Sequence, residues 1–233
     1  MQLPFFFEED IPLSEKFLLS EESSRHIVQV LRMNEGENLL VTNGKGELLT
    51  TSLINAHKKN ALVEIISRIV VSKPNFKTII GISLIKNRNR FEWFLEKATE
   101  LGVAEIIPFI SDRTVKQHFR EDRMKGILIS AMLQSQQAWL PELHSPVKFK
   151  EIIENSPYER KYIAHCANQQ KESLSKEILK QGDALILIGP EGDFTTEEIG
   201  TAVENNFKPV SLGETRLRTE TAALVAAVLL LNK

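Results

Sequence analysis

The sequence predicts an α/β protein in which a parallel-sheet domain follows a small β-rich module. Three observations support this. From Thr78 onward, apolar runs of strand length alternate with segments of helical periodicity, as in a sheet buried on both faces. The stretch before it holds short strand-like runs, a strong hairpin signal and a single helix start. Near the end, the apolar runs at 184–188 and 209–212 each close on a glycine, and each glycine opens a polar loop leading into a helix.

In the front module, the F-F-F run precedes Ser20, which begins a helix with apolar residues at Ile27, Val30 and Leu31. Arg25, His26 and Arg32 fall near one edge of that helix, and His26 also suits a capping or half-buried role. Residues 38–42 and 48–54 read as a hairpin turned by Asn43-Gly44-Lys45-Gly46, and 61–69 as a further strand. This composition suggests a small barrel. Residues 71–77, with Ser72-Lys73-Pro74, read as a linker, so the chain divides into domains over 1–72 and 73–233.

The second domain opens with a strand at 78–85, a basic loop at 86–90 and an amphipathic helix at 91–101 stopped by Gly102. A strand at 104–110, a loop at 112–117 and a helix at 123–139 follow. A strand at 161–166 and a helix near 173–181 lead to the two glycine-ended strands. Thr195 and Glu198 form a capping box for a helix reaching residue 205 or 206. Thr219 is the expected N-cap of the last helix. Residues 222–231 are almost wholly apolar, too short for a bilayer, which needs about 20 residues. That helix is therefore expected to be buried on more than one side, with a second subunit as one source of cover.

Bulk properties narrow the function. The chain has 233 residues, 42% hydrophobic and 26% charged, with a net charge of −2, enough for a sizeable core in a soluble protein. Residues 1–9 are aromatic and acidic, which does not read as a secretory leader. One cysteine, Cys166, excludes an internal disulfide, and five scattered histidines show no zinc spacing. A cytoplasmic protein with no metal and no membrane partner is expected. Residues 71–130 carry 11 basic against 7 acidic side chains in a chain otherwise acidic. A solvated face accounts for that excess on charge alone, but contact with phosphate needs it.

The two glycine loops suggest a cradle for a small molecule, since glycine lets backbone approach a ligand and each helix start presents unpaired N–H groups. Gly189-Pro-Glu-Gly192 is not a dinucleotide fingerprint, and neither a phosphate-loop motif nor G-x-S-x-G occurs. Neither glycine loop carries the lysine that a triphosphate would need. A neutral or cationic ligand with an adenine-like apolar part fits better.

Four groups of residues together resemble one family: Arg25-His26 with Val30-Leu31-Arg32; Lys97-Ala-Thr-Glu-Leu-Gly-Val103 with Pro108 and Arg113; Ile188-Gly-Pro-Glu-Gly192; and Leu217-Arg-Thr-Glu-Thr-Ala222. They resemble the SPOUT superfamily of knotted RNA methyltransferases, and within it the small-subunit ribosomal RNA uridine-N3 methyltransferases. Two departures stand out: Leu133-Gln-Ser-Gln-Gln137 lacks both charges of the family's E-Q-S-x-R, and Arg216 stands where isoleucine is usual.

The resemblance implies a PUA-like front barrel, a trefoil-knotted back domain, S-adenosylmethionine bound in the knot, and a homodimer acting on ribosomal RNA. On that footing, Leu187, Ile188, Gly189, Pro190, Gly192, Ser211, Leu212, Gly213, Leu217 and Thr219 are the expected cofactor residues. Arg218 is expected to balance negative charge developing on the uracil, with Glu220 or Glu191 taking the proton. Arg25, His26, Arg32, Lys86, Arg88, Arg90, Arg113 and Arg216 are expected to face RNA. A ribose-hydroxyl methyltransferase and a non-catalytic RNA-binding relative are the rival readings. Residues 161–170, with His165 and Cys166, are expected to be core strand and turn without chemistry, the cysteine as a small buried hydrophobe.

Overall fold

The computed structural model describes residues 3–115, 118–168, 171–177 and 181–231. Its contacts divide the chain into two units, Met1–Lys73 with Ile129–Leu140, and Pro74–Leu128 with Pro141–Lys233. A single linear boundary makes no provision for residues 129–140.

The first unit contains β1 (Phe5–Phe7), β2 (Lys16–Leu18), α1 (Glu21–Arg25), β3 (Asn38–Thr42), β4 (Glu47–Asn55) and β5 (Leu62–Val70). Its five-stranded sheet runs β1-β3-β4-β5-β2, antiparallel except where β1 joins β3. Alternation along β3 and β4 sends Leu39, Val41, Leu49 and Leu53 into a core shared with Phe6, Phe17, Ile27 and Val63. Ser20 caps α1 by accepting from the Ser23 N–H at 3.3 Å. The helix then widens into a π-helical turn at His26–Val30, and Arg32 leaves it with φ +54°. The hairpin forms at the expected place, with Asn43 Oδ1 accepting from the N–H groups of Lys45 and Glu47.

The second unit contains β6 (Thr78–Ser83), α2 (Arg88–Leu101), β7 (Glu105–Ile110), α3 (Glu121–Gln134), β8 (Glu142–Leu143), β9 (Val147–Lys148), α4 (Phe149–Asn155) and β10 (Arg160–Ala164), of which the end of α3 groups with the first unit. Next come β11 (Glu172–Ser173), β12 (Ala184–Ile188), α5 (Thr196–Glu204), β13 (Lys208–Ser211) and α6 (Thr219–Leu231). Every strand pair is parallel, in the order β11-β13-β10-β12-β6-β7-β8, with β9 also on β7. All six residues of β6 and all five of β12 are buried, as strands of a parallel sheet covered on both faces require.

Several local expectations are corrected. Asn87 caps α2 through its Oδ1 to the Asn89 N–H, so Arg88 and Arg90 lie on the helix and not in a loop. α3 ends at Gln134 and not at 139; Gln136 takes φ +56°, and the chain then runs beside the hairpin, where Ala138 accepts from Gly46 N–H and Leu140 donates to Gly44. The helix expected near 173–181 is the short β11 and one 3-10 turn at Leu174–Glu177; residues 178–180 lie outside the described set. The loop expected at 112–117 is described only to residue 115, and the strand-and-turn segment at 161–170 only to residue 168. No helix among the described residues is long and apolar enough to cross a membrane.

Candidate active site

β12 and β13 flank β10 and run parallel to it, so their carboxyl ends reach the same edge of the sheet. In open parallel sheets that edge is where loops diverge and ligands bind. A cleft of about 700 Å³ lies there, lined by the Ile188–Glu191 and Val210–Thr219 stretches, by Ala164, His165, Cys166 and Lys171, and by Asp193 and Ala222. Its volume suits a nucleoside-sized molecule.

The first loop is held by the rest of the unit. The Phe194 ring sits so close to Gly189 that a Cβ there would lie 3.0 Å from two ring carbons. The close approach expected of this glycine is thus made to a phenylalanine, which also stacks on Phe109 at 6.0 Å and 9°. Arg113 Nη1 donates to the carbonyls of Gly192 (2.7 Å) and Phe194 (3.4 Å). Asp193 Oδ2 accepts from Cys166 N–H at 2.8 Å. The expected capping box is present: Thr195 Oγ1 accepts from Glu198 N–H, Glu198 Oε2 accepts from Thr195 N–H, and Glu198 Oε1 accepts from Asp112 N–H.

The second loop is open. Gly213 has φ +147°, a value that favours glycine, with nothing within 4 Å of where its Cβ would be. Glu214, Thr215, Arg216 and Arg218 are exposed. At its start, Ser211 Oγ donates to the Gly213 carbonyl at 3.0 Å and accepts from the Gly213 N–H at 3.3 Å. It ends where Ala222 N–H donates to the Arg218 carbonyl, so Arg218 begins the helix. Thr219, the expected N-cap, instead donates its hydroxyl to the Gly189 carbonyl at 3.0 Å, tying one loop to the other.

The cleft gathers Ile188, Gly189, Pro190, Ser211, Leu212, Gly213, Leu217 and Thr219 of the expected cofactor residues, along with Glu191, Arg216 and Arg218. Leu187 and Gly192 are not in its lining; Leu187 lies wholly in the core, and the Gly192 carbonyl is taken by Arg113. Glu191 is exposed and accepts from Lys86 N–H at 3.1 Å. Glu220 is 5% exposed and 3.6 Å from Arg90. Arg88, Arg216 and the side chain of Lys86 are exposed on this unit. On the first unit Arg25, His26 and Arg32 are exposed, Arg25 paired with Glu21 at 2.7 Å and His26 edge-on to Phe6. His26 is thus exposed and not half-buried, and it is the C-cap of α1, its N–H donating to the Glu22 and Ser23 carbonyls.

His165 is buried, as expected of a core strand's end, but it also lines the cleft, and Cys166 is exposed there, not the buried hydrophobe expected. Burial, and then the Lys171 ammonium, hold the His165 imidazole below its usual pKa against the opposing pull of Asp193, so it is neutral at pH 7. Lys171 donates to the carbonyls of His165 and Ala167. A strand running into its loop gives no local signal for these positions; only the parallel register of β10 beside β12 and β13 brings them in.

One group among the described residues has metal-ligand spacing, Glu105, Glu142 and His144, with donor atoms within 4.8 Å of one another. Lys77 and Tyr158 both donate to Glu105, so its oxygens are already engaged by a cation and a hydroxyl.

These features place the chain among enzymes that work from a loop-built cleft at the edge of a parallel sheet, and the comparisons narrow the class. Residues 72–231 match the RNA methyltransferase domain family, and residues 19–66 match the RNA methyltransferase PUA domain. A ribosomal RNA small subunit methyltransferase E from Mesomycoplasma hyopneumoniae is 30% identical over 215 residues, covering 89% of this chain and 90% of that one. A probable rRNA-methyltransferase from Porphyromonas gingivalis superposes with a TM-score of 0.90 at 36% identity, covering 97% and 96% of the two chains. A putative methyltransferase from Legionella pneumophila, solved with the bound cofactor SAM, gives 0.88 at 31%, covering 99% and 97%. The chain belongs to the ribosomal RNA small subunit methyltransferase E family.

Proposed function

We propose that the protein transfers the methyl group of S-adenosylmethionine to N3 of a uridine in small-subunit ribosomal RNA, in the cytoplasm and as a homodimer. The observation that carries this reading is the cleft between the two glycine loops, walled by Ile188, Leu212 and Leu217 and edged by main chain at Gly189 and Gly213. Apolar walls with main-chain donors and acceptors at the rim suit an adenine ring. Glu191 and Asp193 of the first loop and Glu214 of the second also line the cleft and suit a cationic sulfonium. The Legionella structure and that of a Neisseria gonorrhoeae relative at 30% identity, both with S-adenosylmethionine bound, support the same choice.

Bound there, the cofactor supplies an electrophilic methyl group. The chain's own part is positioning, since in-line attack needs the acceptor nitrogen held close to that carbon. Arg218, on the cleft wall, balances charge developing on the uracil, and a nearby glutamate takes the N3 proton. Arg25, His26, Arg32, Lys86, Arg88, Arg113 and Arg216 would meet RNA phosphate, with the division at 72/73 separating an RNA-reading domain from a knotted catalytic one. The dimer is supported by α6: Ala223, Ala226, Ala227 and Leu230 are buried, while Leu224, Val225 and Leu229 are half-exposed and Val228 is exposed. An aliphatic face of that kind needs cover.

Incubation with methyl-labelled S-adenosylmethionine and small-subunit ribosomal RNA, followed by nucleoside digestion, tests the reading. The expected product is 3-methyluridine. A ribose-methylated nucleoside would support the hydroxyl-directed alternative, and no transfer would support the non-catalytic one.

A further inference from the structure

A second cavity, of about 380 Å³, shares a wall with the cleft. It is lined by Asn89, Arg90 and Trp93 of α2 and by Arg218, Glu220 and Thr221 at the start of α6. Arg218 lines both spaces, Thr219 and Ala222 face the larger, and Glu220 and Thr221 face the smaller. The first turn of α6 therefore borders both spaces, with Arg218 common to the two, because neighbouring positions on a helix point to different sides.

Two features of this cavity point to a ligand. Glu220 is 5% exposed, and its Oε2 has no hydrogen-bond partner among the described residues. Its Oε1 has a 3.6 Å contact to Arg90 Nε, too long for a good hydrogen bond. A buried carboxylate oxygen left this way is costly and calls for a donor. Trp93 lines the same cavity with 44% of its surface exposed, a large flat face in an otherwise polar setting.

We propose that this cavity receives the target base, and that Glu220 and its arginine neighbours select uracil by its imide edge. The proposal rests on the methyl-transfer reading above and assigns the acceptor half of that site. Uracil offers a carbonyl, N3–H and a second carbonyl in a row. The cavity offers the Glu220 acceptor with donors on Arg90, Arg218 and Asn89, and Trp93 as a stacking face. Cytosine and adenine place an unprotonated nitrogen at the central position, where a carboxylate repels them. In the reaction the N3–H proton passes to Glu220 as the N3–carbon bond forms. The methyl carbon's bond to sulfur breaks and its electron pair stays on sulfur, leaving a neutral thioether. Arg90 and Arg218 offset charge on the uracil oxygens. Glu191 is set aside as the base because it is exposed on the larger cleft and engaged with Lys86 N–H.

The test uses the full chain. Binding of a short single-stranded RNA with one uridine among adenosines is measured without cofactor, and transfer to ribosomal RNA with it. Trp93→Ala should weaken RNA binding and raise KM about tenfold, with Trp93→Phe restoring both. Glu220→Gln should lower kcat by about 100-fold or more and remove the acid limb of its pH profile. Its amide should also bring affinity for the cytidine counterpart up to that for uridine. Cofactor affinity within about threefold of wild type, since neither residue touches the larger cleft, shows each variant folded. Unchanged KM, kcat and base preference in both variants would overturn the proposal, as would a Trp93→Ala effect confined to oligomeric state. Transfer by the wild type to a ribose or another base would sink this assignment and leave methyl transfer standing. No transfer at all would remove both.

Discussion

The two glycine loops begin alike and are built differently. Each follows a buried parallel strand and leads into a helix, yet residues 189–195 are fixed by Phe194, Arg113, Asp193 and a capping box, while residues 213–218 are largely exposed. The first is a rigid floor, set before any ligand arrives. The second is a wall whose shape depends on what it meets. Their single described hydrogen-bonded link, Thr219 to the Gly189 carbonyl, hinges the wall to the floor. Rigid on one side and adaptable on the other is what a site needs if it must hold one substrate and admit a second.

The contrast can be broken from either side. The largest effect should come from the wall: Arg218→Ala should cut turnover by about 10²–10³-fold, the loss typical of one charge-stabilising donor, with cofactor affinity falling only a few-fold. Equal losses in both would make this arginine a shaper of the cofactor cleft alone. On the floor, Gly189→Ala drives a methyl against a Phe194 ring that its stack on Phe109 prevents from yielding. It should cost about 1–3 kcal/mol in denaturant unfolding. Gly213→Ala meets no neighbour and should act mainly on cofactor affinity, through the strained φ. If the two alanines behave alike, the distinction between floor and wall is wrong. Thr195→Ala, which removes one half of the capping box, should cost about 1 kcal/mol.

Acid should act on the cleft region first. Burial holds His165 below its usual pKa, so the unfolded chain binds the proton more readily. The resulting stability is present above the unfolded value of about 6.5 and is lost as pH falls through the lower folded value. Glu105 behaves in the same direction at lower pH: burial pushes its pKa up, but hydrogen bonds from Lys77 and Tyr158 with the Lys77 charge carry it below the usual range. Melting temperature should therefore drop in two stages on acidification, and His165→Asn should flatten the first stage alone.

Local rules recovered most of what is local. The buried strands at β6 and β12, the Gly102 stop, the Asn-Gly hairpin and the capping box at Thr195 are all legible because each depends on residues within a few positions of one another. What depends on partners far along the chain was not legible. The α3 terminus is set by edge pairing of 138–140 with the hairpin, the Thr219 hydroxyl by a carbonyl 30 residues away, and the place of His165 and Cys166 by strand register. The two glycine loops looked equivalent for the same reason, since Arg113 and Cys166 carry no mark of the carbonyl and carboxylate they meet. The family resemblance, and not any periodicity, supplied the cofactor and the RNA.

The proposed function requires that main chain at the two glycines grip the methyl donor. A crystal structure of the protein with S-adenosylmethionine tests it most directly. The adenine should lie between Ile188–Gly189 and Leu212–Gly213, with the sulfonium methyl directed toward Arg218. Cofactor density anywhere else, with both glycine loops empty, would contradict it.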